Sequence, residues 1–323
     1  MKPIIFDIKR YAINDGPGIR TTLFFSGCPL RCVWCHNPES WLPQPHLTYK
    51  QSRCIGCRSC VQACPQGALR LTSNGIVLGE GCSHSPLPPH PSTLTPHPCT
   101  DSCPTTALEM CGREWTMDDL MAEIEKERDV MEDSGGGVTL CGGEPLMQGA
   151  AALAVLSELG RRRLHRAVDT TLYADPLLVE EVARHCELML VDLKLMDTVK
   201  HKSYTGVDNG LVLDNIRLLH SLGTPFFIRV PLIEGVNADD ANIEATARFL
   251  AALGGGVPHS RSHGSQLQGV HLLPYHDVGR DKHRRLWSVY NPGGLHLAEP
   301  SETVRQRCVE LFASHGITAT VGG

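Results

Sequence analysis

Cys28, Cys32 and Cys35 fall in the run Gly27-Cys28-Pro29-Leu30-Arg31-Cys32-Val33-Trp34-Cys35-His36, a Cys-x3-Cys-x2-Cys loop. Three thiolates at that spacing suit a cubane of four irons and leave one iron without a protein ligand. A chain that keeps such an iron uses it to bind or reduce something, so the rest of the fold has to shelter the loop. The competing reading is a structural zinc site made by the same three cysteines and His36. Zinc sites usually pair two Cys-x2-Cys knuckles, and no fourth ligand follows here at suitable spacing, which favours the cluster.

Ten of the 14 cysteines lie within the first 103 residues at short, regular gaps. In a secreted chain this would suggest disulfides; here the spacing points to metal–sulfur chemistry in a reducing, low-oxygen compartment. A formal net charge of -5 without long runs gives no basic footprint for nucleic acid or an anionic membrane. Met1 to Asp7 is too short and too soon acidic for a signal peptide, and no run approaches the roughly 18 apolar residues of a membrane span. The expectation is a cytoplasmic monomer with a 41% hydrophobic composition that supports a buried core.

Beyond residue 115, short β-branched runs alternate with amphipathic stretches, the pattern of βα units around a parallel sheet. Strands are expected at Thr21 to Phe25, Gly137 to Cys141, Arg166 to Thr170, Leu188 to Leu193, Pro225 to Val230 and Val270 to Pro274. Helices are expected near Thr116 to Val130, Gly149 to Leu159, Asp175 to His185, Leu211 to Ser221, Ala238 to Leu253 and Glu302 to Ser314, with Asn237 or Asp239 capping the fifth. The fold class is α/β, a partial (β/α)6 TIM-type barrel. Residues 50–112 interrupt it as an inserted ferredoxin-like Fe–S domain, leaving 1–49 and 113–323 as the two parts of the core.

Within the insert, Cys54-x2-Cys57-x2-Cys60-x3-Cys64-Pro65 matches the bacterial ferredoxin run, whose fourth cysteine serves the other cluster of a pair. By that crossing rule Cys54, Cys57 and Cys60 share a cube with Cys103, and Cys64 joins Cys82 and Cys99 in a second. The second set is incomplete. Ser85 and Pro96 stand where Cys-x2-Cys spacing would put a thiolate, and His84, His97 or Cys111 are alternatives. The insert therefore holds one or two additional [4Fe-4S] clusters. Its stretch from Ser83 to Pro98 is rich in proline and histidine and reads as an exposed loop; Gly254 to Gly269 reads as a second surface excursion.

Chemistry-bearing residues gather at the expected strand ends. Cys141-Gly142-Gly143-Glu144-Pro145 closes one strand, and its glycines let backbone groups approach a ligand. Asp169-Thr170 and Asp192-Leu193-Lys194 close the next two. Arg229 suits a carboxylate, and His276 suits a planar group.

Together Asp15-Gly16-Pro17-Gly18-Ile19-Arg20, the cysteine loop, the ferredoxin-like insert, Gly142-Gly143-Glu144-Pro145, Asp192-Leu193-Lys194 and Leu273-Pro274-Tyr275-His276 resemble the glycyl-radical-enzyme activating enzymes of the radical S-adenosylmethionine (SAM) superfamily, the larger type with a dicluster insert. The resemblance implies an oxidoreductase that cleaves SAM reductively to a 5'-deoxyadenosyl radical, which takes a hydrogen atom from one glycine of a partner glycyl radical enzyme. It implies that Cys28, Cys32 and Cys35 hold the catalytic cluster, with Trp34 beside SAM, and that Gly142, Gly143 and Glu144 meet the methionine ammonium. Lys194 and Arg229 would meet the carboxylate, and His276 would lie by the adenine. It further implies a sodium or potassium ion held by Asp169, Thr170, Asp192 and the Leu190 carbonyl, and a glycine loop facing Asp15 and the turn after it. A flavodoxin or ferredoxin would donate the electron. Cys141 departs from the usual small polar residue, and the split second cysteine set departs from the dicluster pattern. The competing functions are a radical SAM enzyme acting on a small molecule or another peptide, and a ferredoxin-like carrier that leaves the first loop without a task.

Overall fold

Parallel strands buried on both faces need continuous apolar runs, and the sequence supplies them in the right order. The computed structural model describes residues 2–82, 85–86, 97–253 and 266–322. Its strands are β1 (Ile4–Ala12), β2 (Arg20–Phe25), β3 (His46–Tyr49), β4 (Leu69–Thr72), β5 (Gly75–Leu78), β6 (Leu108–Cys111), β7 (Arg113–Glu114), β8 (Gly137–Gly142), β9 (His165–Thr170), β10 (Leu188–Asp192), β11 (Phe226–Leu232), β12 (Leu267–Pro274) and β13 (Ala319–Val321). Nine of them form one sheet in the order β13-β12-β11-β10-β9-β8-β2-β1-β7. From β2 to β13 every pairing is parallel, while β1 and β7 add an antiparallel edge.

All six expected strands are present. Three further ones extend the sheet: β1 and β7 at one edge and β13 at the other. The expected helix from Thr116 to Val130 is two, Met117–Glu125 and Arg128–Asp133, and four more occur among the described residues, at Ser59–Ala63, Pro98–Asp101, Thr198–Thr205 and Gly279–Arg285. Asp239 accepts the Asn242 N–H at the start of Asp240–Leu253 and so acts as its cap. Asn237 works elsewhere: fully buried, it donates to the Lys194 and Pro231 carbonyls and accepts from the Ile233 N–H, tying the loop after β10 to the end of β11.

The segment from β3 to β6 carries two small antiparallel ladders, β3 with β6 and β4 with β5. The run Ala68 to Leu71 mostly belongs to β4. Leu47, Leu69, Ile76 and Leu108 pack with Cys60, Cys82 and Cys99 into a second core. Trp287 closes that core from outside the segment, stacking on Tyr49 with ring centroids 6.0 Å apart and donating to the Ile76 carbonyl. Of the expected loops, His84, Pro96 and most of 83–98 lie outside the described residues, as do 254–265; Leu267 to Gly269 already belong to β12. Among the described residues, no helix is long and apolar enough to cross a membrane.

The turn between β1 and β2 is pinned to the sheet by Arg20, whose side chain is entirely buried yet meets only neutral partners. It donates to the Thr139 hydroxyl and to the Pro17 and Val138 carbonyls. Gly18 has φ +66°, and a Cβ there would stand 2.4 Å from the Gly136 nitrogen. Backbone meets backbone at this point. Gly18→Ala is expected to lower stability by about 3 kcal/mol through strain and overpacking, read by urea denaturation. Gly67→Ala, at φ +60° with nothing within 4 Å of the added atom, is expected to cost only about 1 kcal/mol.

Candidate active site

Because β2 and β8 to β13 run in one direction, their carboxyl ends share one edge of the sheet, and a cavity of about 430 Å³ opens there. The size suits a nucleoside-sized ligand. Every one of these strands contributes to its wall. The loop after β2 supplies Cys28, Cys32 and Cys35; β8 supplies Cys141 and Gly142; β9 supplies Asp169 and Thr170; β10 supplies Asp192; β11 supplies Arg229; β12 supplies Leu273 and Pro274; and Gly322 follows β13.

The cysteine loop is closed by the Cys35 N–H donating to the Cys32 carbonyl at 3.0 Å, and it is held to the helix Thr198–Thr205 by Arg31 and Val33 N–H groups donating to the Thr205 and Tyr204 carbonyls. Burial pushes all three thiols up, Cys35 to about 12, and Cys32 adds to the rise at both Cys28 and Cys35. Lys194 works in the opposite direction on Cys32. Three neighbouring sulfurs, one buried and two half-buried, beside a cation form a donor set for a soft, positively charged iron–sulfur body, which deprotonates its ligands. The thiols therefore fit a cluster.

Gly142 and Gly143 are dictated by the neighbouring strand end. A Cβ on Gly142, at φ +120°, would lie 2.4 Å from the Phe25 nitrogen, and one on Gly143 would lie 2.3 Å from the Gly27 carbonyl. Both glycines line the cavity. Glu144 does not: its side chain is fully buried and turned into the fold. It accepts from the Thr170 and Thr171 hydroxyls and from the Thr171 and Leu146 N–H groups, at 2.6 to 3.1 Å. Burial pushes this carboxyl up, and the surrounding donors draw it back. Glu144 thus positions the glycine pair and the Thr170–Thr171 turn of the wall.

Charge in the cavity is arranged as two ion pairs. Arg229 meets Asp169 at 2.8 Å and Lys194 meets Asp192 at 2.8 Å. The Cys141 thiol donates to the same Asp169 oxygen at 3.2 Å. Burial lifts the Asp169 carboxyl to about 6 against the pull of Arg229, with Asp192 and Asp15 adding to the rise. At Lys194, burial alone would lower the ammonium, but Asp192 and Cys32 outweigh it. Leu190 lies in the middle of β10, paired on both sides and away from the cavity wall.

One flank is aromatic. Trp34 and His276 line it, and His276 stacks on His36 with centroids 4.1 Å apart. The His36 Nε2 lies 2.9 Å from the His276 carbonyl oxygen, and burial followed by His276 lowers the His36 imidazole to about 4. Asn14 and Thr171 are wall residues without a role in the sequence reading, and His36, read there only as a zinc ligand, and Tyr275, read only as part of a motif, also line the wall. For His36 a signal existed, since it directly follows Cys35 in the loop. Asp15 stands just outside, its carboxylate accepting from Thr22 at 2.7 Å while its carbonyl accepts from Thr139.

The insert's cysteines form two neighbourhoods. Cys54, Cys57, Cys60 and Cys103 line one hollow. Cys99 is pushed up to about 11 by burial, then by Cys64 and Cys82. Among the described residues no group of three or more His, Cys, Asp or Glu is arranged to hold a metal ion; a cluster, unlike a single ion, takes thiolates that stand well apart.

A 4Fe-4S binding domain model matches residues 47–70. The chain is 38% identical to the trans-4-hydroxy-L-proline dehydratase activating enzyme of Clostridioides difficile, over 100% of each chain. It is 35% identical to the choline trimethylamine-lyase activating enzyme of Oleidesulfovibrio alaskensis, over 96% of each. It is 33% identical to the indoleacetate decarboxylase activating enzyme of Tractidigestivibacter scatoligenes, over 99% of this chain and 98% of the other. Among solved structures, a domain of a pyruvate-formate lyase-activating enzyme from Bacteroides vulgatus matches with 41% identity and a TM-score of 0.47, over 58% of this chain and 99% of that one.

Glu144→Ala would strand two hydroxyls and two N–H groups that now share its carboxylate. It is expected to cost at least about 3 kcal/mol in urea denaturation of the cluster-free chain. Glu144→Gln, which keeps one acceptor oxygen, is expected to cost less.

Proposed function

The chain belongs to the activating enzymes of glycyl radical enzymes, and on that premise we propose which of its residues carry the reaction. It is a radical SAM oxidoreductase that cleaves SAM reductively and abstracts a hydrogen atom from a glycine of a partner glycyl radical enzyme. The observation that carries the assignment of residues is the single cavity where three neighbouring thiols, two ion pairs and two stacked imidazoles meet.

Cys28, Cys32 and Cys35 are the ligands of the catalytic cluster, which supplies the electron and an open coordination position. Gly142 and Gly143 present backbone to the methionine ammonium, and Glu144 holds them in place from behind. Lys194 and Arg229 turn from their acids to the methionine carboxylate. This exchange is supported by their position: Lys194 is buried, Arg229 is nearly so, and each is already neutralised by a wall carboxylate, so an incoming carboxylate substitutes for one that is present. Asp169 and Asp192, released with Thr170, then suit a sodium or potassium ion, as hard oxygen donors do. Leu190 joins this set through its backbone carbonyl. Trp34 and the His36–His276 stack flank the adenine.

The wide edge beside Asn14, Asp15 and the Gly16–Gly18 turn admits the partner's glycine loop, with Arg20 fixing that turn. The exposed Tyr11 and Ile13 next to it give the rim apolar contact area. The parallel strands curl as a partial barrel around this cavity, and residues 50–112 act as a ferredoxin-like unit whose clusters pass electrons from a flavodoxin or ferredoxin. We place the protein in the cytoplasm as a monomer.

Anaerobic, reconstituted protein given SAM and dithionite is expected to release 5'-deoxyadenosine, and Cys32→Ala is expected to release none while retaining the insert's iron. Lys194→Met is expected to raise the KM for SAM roughly tenfold or more, as loss of a charge contact in a dry site does. Full turnover by Cys32→Ala would refute the assignment of the loop.

A further inference from the structure

The dicluster reading of the insert leaves one corner of the second site without a ligand, and the fold indicates what stands there. Cys64 follows the short helix Ser59–Ala63, Cys99 lies in the helix Pro98–Asp101, and these two helices pack together. Cys82 and Cys99 are both buried in the same small core, with Cys64 packed against it. The Cys99 thiol feels Cys64 and Cys82, and no other cysteine, among its main influences. That core also holds Cys60, with Cys54 and Cys103 packed against it, but Cys54, Cys57, Cys60 and Cys103 line a hollow of their own, which leaves Cys64, Cys82 and Cys99 for the second set.

The fourth position is read from backbone geometry. The Ser85 N–H donates to the Cys82 carbonyl at 3.3 Å, and this is the same three-residue closure by which the Cys35 N–H meets the Cys32 carbonyl at 3.0 Å in the catalytic loop. The Cys-x2-Cys pair of the catalytic loop is linked backbone to backbone in this way. Cys82 and Ser85 are such a pair with an oxygen in place of the second sulfur. Cys111 does not compete for the corner: it sits on β6 opposite His46, and after burial its thiol is raised by Glu39, Glu109 and Asp7.

We propose that the second insert site is closed at three corners by Cys64, Cys82 and Cys99, and that Ser85 occupies the fourth, so that one iron of its cube lacks a thiolate. Iron in such clusters is held by soft sulfur donors. A neutral hydroxyl is a poor substitute, and that iron leaves first. Under oxidation the cube in its resting 2+ state gives up one electron and one Fe²⁺, leaving a three-iron cluster in the 1+ state. The inference rests on the reading of the insert as a two-cluster unit.

The test uses the full chain with Cys28→Ala, Cys32→Ala and Cys35→Ala, so that only insert iron is counted. After anaerobic reconstitution it is expected to hold about eight irons, four for each cube. One equivalent of ferricyanide is then expected to produce the paramagnetic resonance of a three-iron cluster. Adding Ser85→Cys is expected to weaken that signal at least tenfold at an unchanged iron count, whereas His97→Ala is expected to leave it unaltered. Eight irons without a three-iron signal before Ser85 is touched would overturn the inference and leave the two-cluster reading intact; four irons would overturn both. A signal that persists in Ser85→Cys, or that changes with His97→Ala, would place the weak corner elsewhere and overturn the assignment to Ser85.

Discussion

Parallel pairing is the constraint from which the site follows. Strands hydrogen-bonded in one direction must end on one edge, and the residues that end them are therefore neighbours whatever their separation in sequence. Asp192 lies across from Arg229 in the β10–β11 ladder, and Leu190 lies across from Asp169 in the β9–β10 ladder. Slipping any of these pairings by one residue would turn a wall charge into the hydrophobic layer behind the sheet. The register that buries Val168, Val191, Ile228 and Val230 in the core is thus the register that assembles the ion pairs.

The site is expensive to maintain without its cofactors. Three thiols and two ion pairs are largely withdrawn from water in one cavity, and the thiol pKa values rise accordingly. Buried charge is tolerated where it is paired and hydrogen-bonded, and each cation here has its acid. The same arrangement prepares the cavity for a zwitterion. Lys194 connects the two halves of the chemistry, because its ammonium touches Asp192 and its field favours the Cys32 thiolate. On the proposed assignment, cluster binding would draw on that field as well as on sulfur, which would couple metal loading and folding at this edge.

Much of this was legible in the sequence where local pattern decides structure. The six inner strands are short, largely buried runs with apolar residues at their centres, and each was readable from its own residues. β1 was not, because Ile4–Ala12 mixes Asp7, Lys9 and Arg10 with its apolar residues, as a half-exposed edge strand does. The helix Thr198–Thr205 has no apolar face to read and is fixed instead by its Asp197 cap and by the buried His201. At the site, residue type and strand-end position marked Asp169, Asp192, Lys194 and Arg229. The direction of the Glu144 side chain could not be read, since it depends on Thr170 and Thr171 one βα unit later. The stack of His36 on His276 joins residues 240 apart in sequence, and only the topology brings them together.

The account depends on an iron of the Cys28–Cys32–Cys35 cluster being open to SAM. Electron–nuclear double resonance of the reduced protein with SAM labelled by ¹⁵N at its amino group addresses this directly. A hyperfine coupling between the cluster and that nitrogen is the result the account requires, and the coupling should vanish in a chain that lacks the three loop cysteines. A fully loaded, reduced protein that binds SAM and shows no such coupling would contradict it.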